Sequence, residues 1–265
     1  MELFDYRSDS RWKHRISTVS DNLNLYQFFE EAMLYLLSSK QNEFLLDNTL
    51  IRIDSGERLS IALREALINM IMHADYYSQN LSRIEIYWDY YDFINPGMMK
   101  ISPTDFFTTN ESKTRNSIIS KLLVYLGYGE RGGTGGGQIY AVTNDSLRAP
   151  QISTDIEKTE LRIWSVDYAD SIKGVSKHAN QILKILSKEK NELSKTDFVK
   201  KLSITSYAAN KALNELLNEG YIERVGSGPK TRYRIPMSDN EWIANIKQMA
   251  ADLKFEYNQN TYHAN

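Results

Sequence analysis

Apolar residues recur at helical spacing through much of the first half of the chain. Segment 24–40, "NLYQFFEEAMLYLLSSK", is amphipathic, and segment 58–77, "RLSIALREALINMIMHADYY", is apolar around nearly its whole circumference. We therefore expect a helix at each place, and a mostly helical region over residues 1–58. Two later segments, "RNSIISKLLVYLGYG" and "GGQIYAVTND", predict further helices, with a loop over 98–114 before the first of them.

Two other segments have the composition of strands. Segment 83–97, "RIEIYWDYYDFINPG", is rich in aromatic residues and isoleucine and ends in an Asn-Pro-Gly turn signal. It predicts one or two strands. Segment 160–168, "ELRIWSVDY", alternates in character and predicts another.

A different pattern begins at Val175. Three short amphipathic segments each open on Ser or Thr, residue types that cap helices, and the third ends at Gly220. Two strand-like segments, "YIERV" and "TRYRIP", then flank the turn "GSGPK". Three helices followed by a hairpin is the order of a winged helix-turn-helix. We therefore predict an α+β protein with domains at 1–168 and 169–236, and a helix with a polar tail over 237–265.

Composition excludes several classes of protein. The chain of 265 residues is 42% hydrophobic and 25% charged, as in ordinary globular proteins. It has no cysteine, which excludes disulfides and thiolate metal sites, and neither a membrane-spanning apolar run nor a signal peptide is visible. We therefore expect a cytoplasmic protein with no membrane partner.

Charge is distributed unevenly between the two predicted domains. The net charge is −2, yet residues 172–236 contain thirteen lysines and arginines against six acidic residues, so the remainder carries −9. An excess of seven positive charges suits a polyanionic partner such as DNA.

Polar side chains form a stripe on the helix predicted at 58–77. At 100° per residue, Glu65, Asn69 and His73 fall within an arc of about 80°. Polar groups on a helix that is otherwise apolar need partners, because burying them unpaired is costly. The partner is either an internal hydrogen bond or a ligand, and the pattern alone leaves both open.

Glycine is concentrated between Gly132 and Gly137, where only Thr134 interrupts five glycines. Successive glycine amides before a helix can form an anion-binding nest. The alternative is a loop that binds nothing. The chain has no G-x-x-x-x-G-K-[ST] motif, which a helicase motor needs, so helicase activity is not expected.

Four ordered motifs, "ALREALINMIMHADY", "FINPG", "RNSII" and "LGYGERGGTGGGQIY", resemble those of a family of bacterial transcriptional regulators. This family carries a domain related to the carboxy-terminal domain of RecG-type helicases, usually behind a Schlafen AlbA-type domain. The chain is therefore expected to be a fragment, or a short form, that begins after the AlbA-type domain. The resemblance implies a Bergerat fold, the α/β sandwich of the GHKL ATPases, followed by a winged helix.

The same resemblance implies that ATP binds with Mg²⁺. Glu65 and Asn69 match the E-x-x-x-N motif, in which Glu orients and deprotonates water and Asn ligates Mg²⁺ through its oxygen. The other residues implied for nucleotide binding are His73, Asp92, Asn95, Gly97, Gly132, Gly133, Thr134, Gly135, Gly136 and Gly137. The adenine-reading D-x-G-x-G box is replaced by "DFINPG", so base specificity is left open.

In the predicted winged helix, the third helix would face the bases and the hairpin would contact phosphates. The predicted DNA-binding residues are Ser206, Tyr207, Asn210, Lys211, Lys230, Arg232 and Arg234. Winged helices also serve as protein-docking or dimerisation modules, so a homodimer is an alternative.

Three functional hypotheses follow. The first is a transcriptional regulator that binds duplex DNA and binds or senses a nucleotide. The second is a weak Mg²⁺-dependent ATPase with Glu65 as base. The third is a degenerate scaffold whose winged helix docks a protein.

Overall fold

A computed structural model describes residues 1–8, 11–39, 56–109, 111, 113–128, 134–145, 147–189 and 191–236. Gly132, Gly133 and the helix predicted over 237–265 lie outside the described residues. The chain divides into two compact units. The first contains the described residues of Met1–Asp145 and Ala149–Ser165, and the second those of Ser146–Arg148 and Val166–Ser238.

Six strands of the first unit form one sheet. They are β1 Glu2–Asp5, β2 His14–Ser17, β3 Arg83–Ile86, β4 Tyr90–Pro96, β5 Gln151–Thr154 and β6 Lys158–Trp164. Their order in the sheet is β2-β1-β3-β4-β6-β5. Neighbouring strands are antiparallel except for β1 and β3, which are parallel.

The first unit also contains α1 Leu25–Ser38, α2 Gly56–His73, α3 Pro103–Thr108, α4 Ser117–Tyr125 and α5 Gly135–Tyr140, with a 3-10 turn at Ala141–Asp145. Helix α3 lies where the sequence predicted a loop. Ser102 accepts a hydrogen bond from the Asp105 backbone N–H at its amino terminus, and proline occupies the first turn.

Residues 1–58 were predicted to be mostly helical. Within the described part of this range the prediction is wrong for residues 1–17, which contribute β1 and β2 to the sheet, whereas α1 is helical as predicted. Strand β1 turns Leu3 and Asp5 inward, and both are fully buried. The Asp5 carboxylate accepts hydrogen bonds from Arg7 Nε and Nη2 and from the Tyr35 hydroxyl. A strand is usually recognised because its inward positions are apolar. Asp5 is polar at an inward position, so β1 lacks this alternating pattern.

The core of the first unit lies between α2 and the sheet. Side chains alternate between the two faces along β4. Asn95 of β4 reaches the α2 backbone, so Tyr91 and Phe93 are on the same face and are buried with Leu63, Leu67 and Ile71 of the helix. The unit is a mixed α+β fold with a mainly antiparallel sheet, consistent with an ATPase-like α/β domain.

The second unit contains α6 Lys177–Glu189, α7 Lys195–Leu202, α8 Ser206–Asn218, β7 Glu223–Val225 and β8 Arg232–Arg234. Three helices followed by a hairpin is the predicted order, and its interpretation as a winged helix stays a prediction. The Ser194 hydroxyl caps α7 and the Thr205 hydroxyl caps α8, as the sequence indicated. A bridge between Leu193 and Tyr233 adds a third chain segment beside the hairpin.

No helix among the described residues is long and apolar enough to cross a membrane.

Candidate functional site

A cavity of about 340 Å³ in the first unit is lined by residues of all four sequence motifs. Helix α2 contributes Glu65, Asn69 and His73, and the end of β4 contributes Asn95 and Gly97. The remaining two motifs contribute Arg115, before α4, and Thr134, Gly135 and Gly136 at the start of α5. The fold therefore brings together segments that are up to 71 residues apart, from Glu65 to Gly136.

The polar stripe on α2 follows one wall of this cavity. Glu65, Asn69 and His73 are partly buried, whereas most other residues of the helix between Leu59 and Ile71 are buried. Asn69 Nδ2 donates a hydrogen bond of 2.8 Å to the Glu65 carbonyl oxygen. That bond uses one of the two Nδ2 hydrogens, and the amide oxygen Oδ1 is the Asn69 atom whose chemistry suits a cation.

Two glycines of the glycine-rich segment pack against other elements. A Cβ placed on Gly135 would lie 2.9 Å from Asn69 Nδ2 and 3.0 Å from Glu65 Oε2. A Cβ on Gly136 would lie 1.8 Å from the Phe106 carbonyl oxygen of α3, which no arrangement of a real side chain permits. Gly137 has nothing within 4 Å of such an atom. Close packing of α5 onto α3 therefore requires Gly136, whereas a side chain at Gly135 would only have to displace the ends of the Glu65 and Asn69 side chains.

Side chains of the motifs also donate hydrogen bonds to backbone carbonyl oxygens at the carboxyl end of α2, where carbonyl groups lack partners within the helix. Asn95 Nδ2 donates to the Met70 carbonyl oxygen at 2.9 Å, and the Tyr76 hydroxyl donates to that of Ile71 at 2.9 Å. Asn116 Nδ2 donates to the carbonyl oxygens of Met72 and Ala74, at 3.1 and 2.8 Å. These contacts fix the end of α2 against β4 and α4.

The Arg115 guanidinium is held at the cavity by two neighbours. It lies 3.1 Å from the Asp75 carboxylate and donates to the Met98 carbonyl oxygen at 2.8 Å. Gly97 has a φ of +86°, and a Cβ there would lie 2.8 Å from Arg115 Nη1. Glycine at this position permits both the turn after β4 and the close approach of the arginine.

His73 is neutral at pH 7. Burial, together with the positive charges of Arg115 and Lys100, lowers the pKa of His73 to about 4. One ring nitrogen can therefore donate a hydrogen bond and the other can accept one.

Asp92 and Gly137 are not among the residues that line the cavity. Asp92 is separated from Asn95 by an odd number of positions, so its side chain points to the opposite face of β4. There its carboxylate accepts two hydrogen bonds of 2.7 Å from Arg162. The position of Asp92 gives no support to its predicted contact with a nucleotide.

Sequence reasoning assigned no role to Arg115, Asn116 or Phe106. The first two lie in the "RNSII" motif, so the motif itself signalled them. Asn116 precedes α4 in the position of an N-cap, but its side chain makes no cap there because it bonds to α2. The contact of Phe106 with Gly136 had no signal in the sequence, because it joins a short helix to a glycine on another element.

The residues at the cavity fit a nucleotide with Mg²⁺. Asn69 supplies an amide oxygen, a ligand type that Mg²⁺ accepts, and Gly135 leaves the space beside Glu65 and Asn69 that a Cβ would fill. Among the described residues no group of three or more His, Asp or Glu side chains could hold a metal by itself. Phosphate oxygens would therefore have to supply the other ligands.

In the second unit, the predicted DNA-contacting residues of α8 are all exposed: Ser206, Tyr207, Asn210 and Lys211. Lys230 is also exposed, and Arg232 is partly so. Arg234 forms ion pairs with Glu223 and, at 3.2 Å, with Glu192. Its charge is compensated within the protein, which weakens its case as a phosphate contact.

Comparison with known proteins identifies part of the first unit. Residues 82–163 match the family described as "Putative ATP-dependent DNA helicase recG C-terminal", which confirms the resemblance for this stretch. The match begins after α2, so Glu65, Asn69 and His73 lie outside it. No curated protein matches the chain.

One solved structure similar to this chain is that of the DIP2311 protein from Corynebacterium diphtheriae. The two sequences are 13% identical, and the superposition has a TM-score of 0.49. It covers 89% of this chain and 58% of that chain, so this chain spans less than two thirds of that protein.

Proposed function

We propose that this chain, whose residues 82–163 carry the RecG-type ATPase-like domain, binds a nucleotide in the cavity and duplex DNA through its second unit, as a transcriptional regulator. The observation that carries the proposal is that the four motifs of the resemblance, three of which lie within the matched residues 82–163, line one cavity. Several motif residues also serve folding, but a concave space of about 340 Å³ lined by polar groups from every motif is what a small-molecule site requires.

Each wall of the cavity has a part in binding the nucleotide. Mg²⁺, when bound with the nucleotide, would supply positive charge that neutralises the phosphates. Asn69 Oδ1 would hold the cation, and Gly135, which has no Cβ beside Glu65 and Asn69, would let a phosphate approach α2. Lys100, which also lines the cavity, adds positive charge for an anionic ligand, and Arg115 adds less because Asp75 compensates its charge.

The second unit would bind DNA as a winged helix. The three-residue connection 203–205 between α7 and α8 is typical of a helix-turn-helix. Helix α8 buries Ala209, Ala212 and Leu213 and leaves its opposite face exposed, as a helix that enters the major groove must. The excess of seven positive charges over residues 172–236 favours this partner over a protein.

The test is calorimetric titration of ATP with Mg²⁺ into the wild-type chain and into Asn69→Ala. We expect the wild type to bind and Asn69→Ala to lose at least tenfold in affinity, because the cation loses its protein ligand. Asn144→Ala, an exposed asparagine of the same unit, is the matched control and should bind like the wild type. Unchanged binding by Asn69→Ala would rule out this site.

A second candidate function, Mg²⁺-dependent ATP hydrolysis, is favoured by the position of Glu65, whose Oε2 lies beside Gly135 on the cavity wall. In that case Glu65 Oε2 accepts a proton from the attacking water. Release of phosphate by the wild type that Glu65→Gln abolishes, with ATP binding retained, supports an enzyme. Binding without hydrolysis in both proteins supports a sensor, and the absence of both ATP and DNA binding supports a docking scaffold.

A further inference from the structure

An ion pair borders the cavity beyond the carboxyl end of α2. Arg115 Nη1 lies 3.1 Å from Oδ2 of Asp75, which follows the end of the helix by two residues. Arg115 lines the cavity, whereas Asp75 is not among the lining residues. Asp75 can therefore act on a ligand through its charge and through Arg115, and not by contact.

Each residue of the pair is also held by a bond to the backbone. Asp75 Oδ1 accepts a hydrogen bond of 3.1 Å from the Tyr77 N–H, and Arg115 Nη2 donates one of 2.8 Å to the Met98 carbonyl oxygen. Neither side chain depends on the other alone for its position. Neutralising Asp75 therefore changes the charge beside the cavity more than it changes the geometry.

The charges at the cavity balance when Asp75 is included. Among the described residues, the lining side chains supply three cations and two carboxylates: Lys100, Lys113, Arg115, Glu65 and Glu111. Lys113 and Glu111 compensate each other at a distance of 3.0 Å. Asp75 adds the third carboxylate, and without it an excess of one positive charge would remain.

Charges at this corner act on groups in the cavity wall. The positive charges of Arg115 and Lys100 contribute to the low pKa of His73, which lines the cavity. A ligand against this wall experiences the same charges, and they are screened less than charges in open solvent. A change of one charge at the ion pair should therefore change affinity in proportion to the charge of the ligand.

We infer that Asp75 determines the charge specificity of the site: through its ion pair with Arg115 it keeps the cavity without net charge, so that a metal-complexed nucleotide is preferred to a metal-free one. The inference rests on the proposed nucleotide binding and names the form of the nucleotide that is bound. Free ATP carries a charge of about −4 and its Mg²⁺ complex about −2, so a balanced cavity repays less of the cost of removing the free form from water.

The test measures the affinities of four ligands for the wild type and for Asp75→Asn by calorimetry: ADP and ATP, each with Mg²⁺ and each with EDTA. Asparagine keeps the acceptor for the Tyr77 N–H. We expect Asp75→Asn to gain about twofold in affinity for each negative charge on the ligand, so the gain rises from about twofold for Mg²⁺–ADP to about sixteenfold for free ATP. The preference for Mg²⁺–ATP over free ATP should then fall about fourfold.

Glu160→Gln is the matched control. Thr159 and Leu161 line the cavity, so Glu160 between them points to the opposite face of the sheet, where it pairs with Lys158 and Arg162. This variant should bind all four ligands like the wild type. An equal gain for all four ligands in Asp75→Asn, no gain, or a loss would overturn the inference and leave nucleotide binding intact. If neither protein binds any of the four, the proposed function fails as well.

Substitution of Arg115 separates charge balance from direct contact. Arg115→Gln should lose affinity by a factor that grows with ligand charge, and the double variant with Asp75→Asn should return to the wild-type affinities, because the balance is restored. A double variant that binds as weakly as Arg115→Gln would mean that Arg115 bonds to the ligand, and would overturn the inference. Thermal unfolding followed by circular dichroism shows whether each variant folds. If Arg115→Gln does not fold, the four-ligand series on Asp75→Asn decides.

Discussion

Helices α2 and α8 each carry a stripe of polar side chains, but the two stripes have different surroundings. On α2, Glu65 and Asn69 lie within contact distance of the space beside Gly135, and the carboxyl end of the helix is bonded to three motif side chains. On α8, the stripe is exposed, and 80% of the Tyr207 surface is accessible. Substitution of a polar side chain that is packed against other elements changes both the free energy of unfolding and the affinity for a ligand. Substitution of an exposed polar side chain can change the affinity with little effect on the free energy of unfolding. The helices therefore differ in how far stability and binding can be separated.

The largest effect is expected at the junction of α5 with α3. Gly136→Ala places a methyl group 1.8 Å from the Phe106 carbonyl oxygen, so backbone must move. We expect a loss of about 3 kcal/mol or more in the free energy of unfolding, as for other overpacked sites. Urea unfolding followed by circular dichroism measures it. A stable Gly136→Ala protein that still binds nucleotide would show that α5 is not packed as described.

Gly137→Ala is the matched control in the same helix. Nothing lies within 4 Å of the added atom, and the position is exposed. Because alanine favours a helix over glycine, we expect unchanged or slightly higher stability, by up to about 1 kcal/mol. Equal losses in both variants would mean that the glycine-rich segment needs backbone freedom rather than space.

The next effect is a pH dependence that belongs to the α2 stripe. The pKa of His73 is about 4 in the folded chain, against about 6.5 for an unperturbed histidine, because the side chain is buried near Arg115 and Lys100. As the pH falls below about 6.5 the unfolded chain takes up a proton that the folded chain does not, so stability is lost between about pH 6.5 and 4. The difference amounts to about 3 kcal/mol and is fully available above pH 6.5.

Denaturant unfolding of the wild type and of His73→Gln at several pH values checks this expectation. Other groups titrate alike in both proteins, so the difference between the two curves isolates His73. The wild type should lose about 3 kcal/mol relative to the variant between pH 7 and pH 4. Parallel curves would mean that His73 is solvated as freely in the folded as in the unfolded chain.

The same contrast between the two regions explains what the sequence could predict. The three helices of the second unit were predicted because their signals are local: apolar spacing, the Ser194 and Thr205 caps, and Gly220 with a φ of +71° after α8. Strand β1 was missed because its pairing with β3 joins Glu2 to Arg83, far along the chain, and its inward Asp5 is polar. Helix α3 did have a local signal, Ser102 followed by proline, that went unused.

The candidate site was predictable in part for the same reason. Helical spacing alone placed Glu65, Asn69 and His73 on one face, and the structure has all three at the cavity. The contact of Gly136 with Phe106 depends on how α5 packs against α3, so the residues around either position in the sequence do not predict it. Asp92 is the opposite case. The resemblance implied that it binds the nucleotide, but the alternation of side chains along β4 turns it away from the cavity.

The smallest effect on stability is expected in the second unit, where binding should change by itself. Lys230→Gln with Arg232→Gln removes two positive charges from the region of the hairpin, at an exposed and a partly exposed position. The free energy of unfolding should stay within about 0.5 kcal/mol of the wild type. Binding to random duplex DNA should weaken, and the slope of log K against log salt concentration should shrink by about 2, because two fewer counterions are released.

Lys184→Gln is the control. It removes one charge from α6, where it pairs with Asp170, and should leave the slope nearly unchanged. If the double variant and Lys184→Gln both have the salt slope of the wild type, the hairpin charges do not contact DNA, and the exposed face of α8 is better explained as a surface for a protein partner. The polar stripes of α2 and α8 would then differ in the kind of partner as well as in their surroundings.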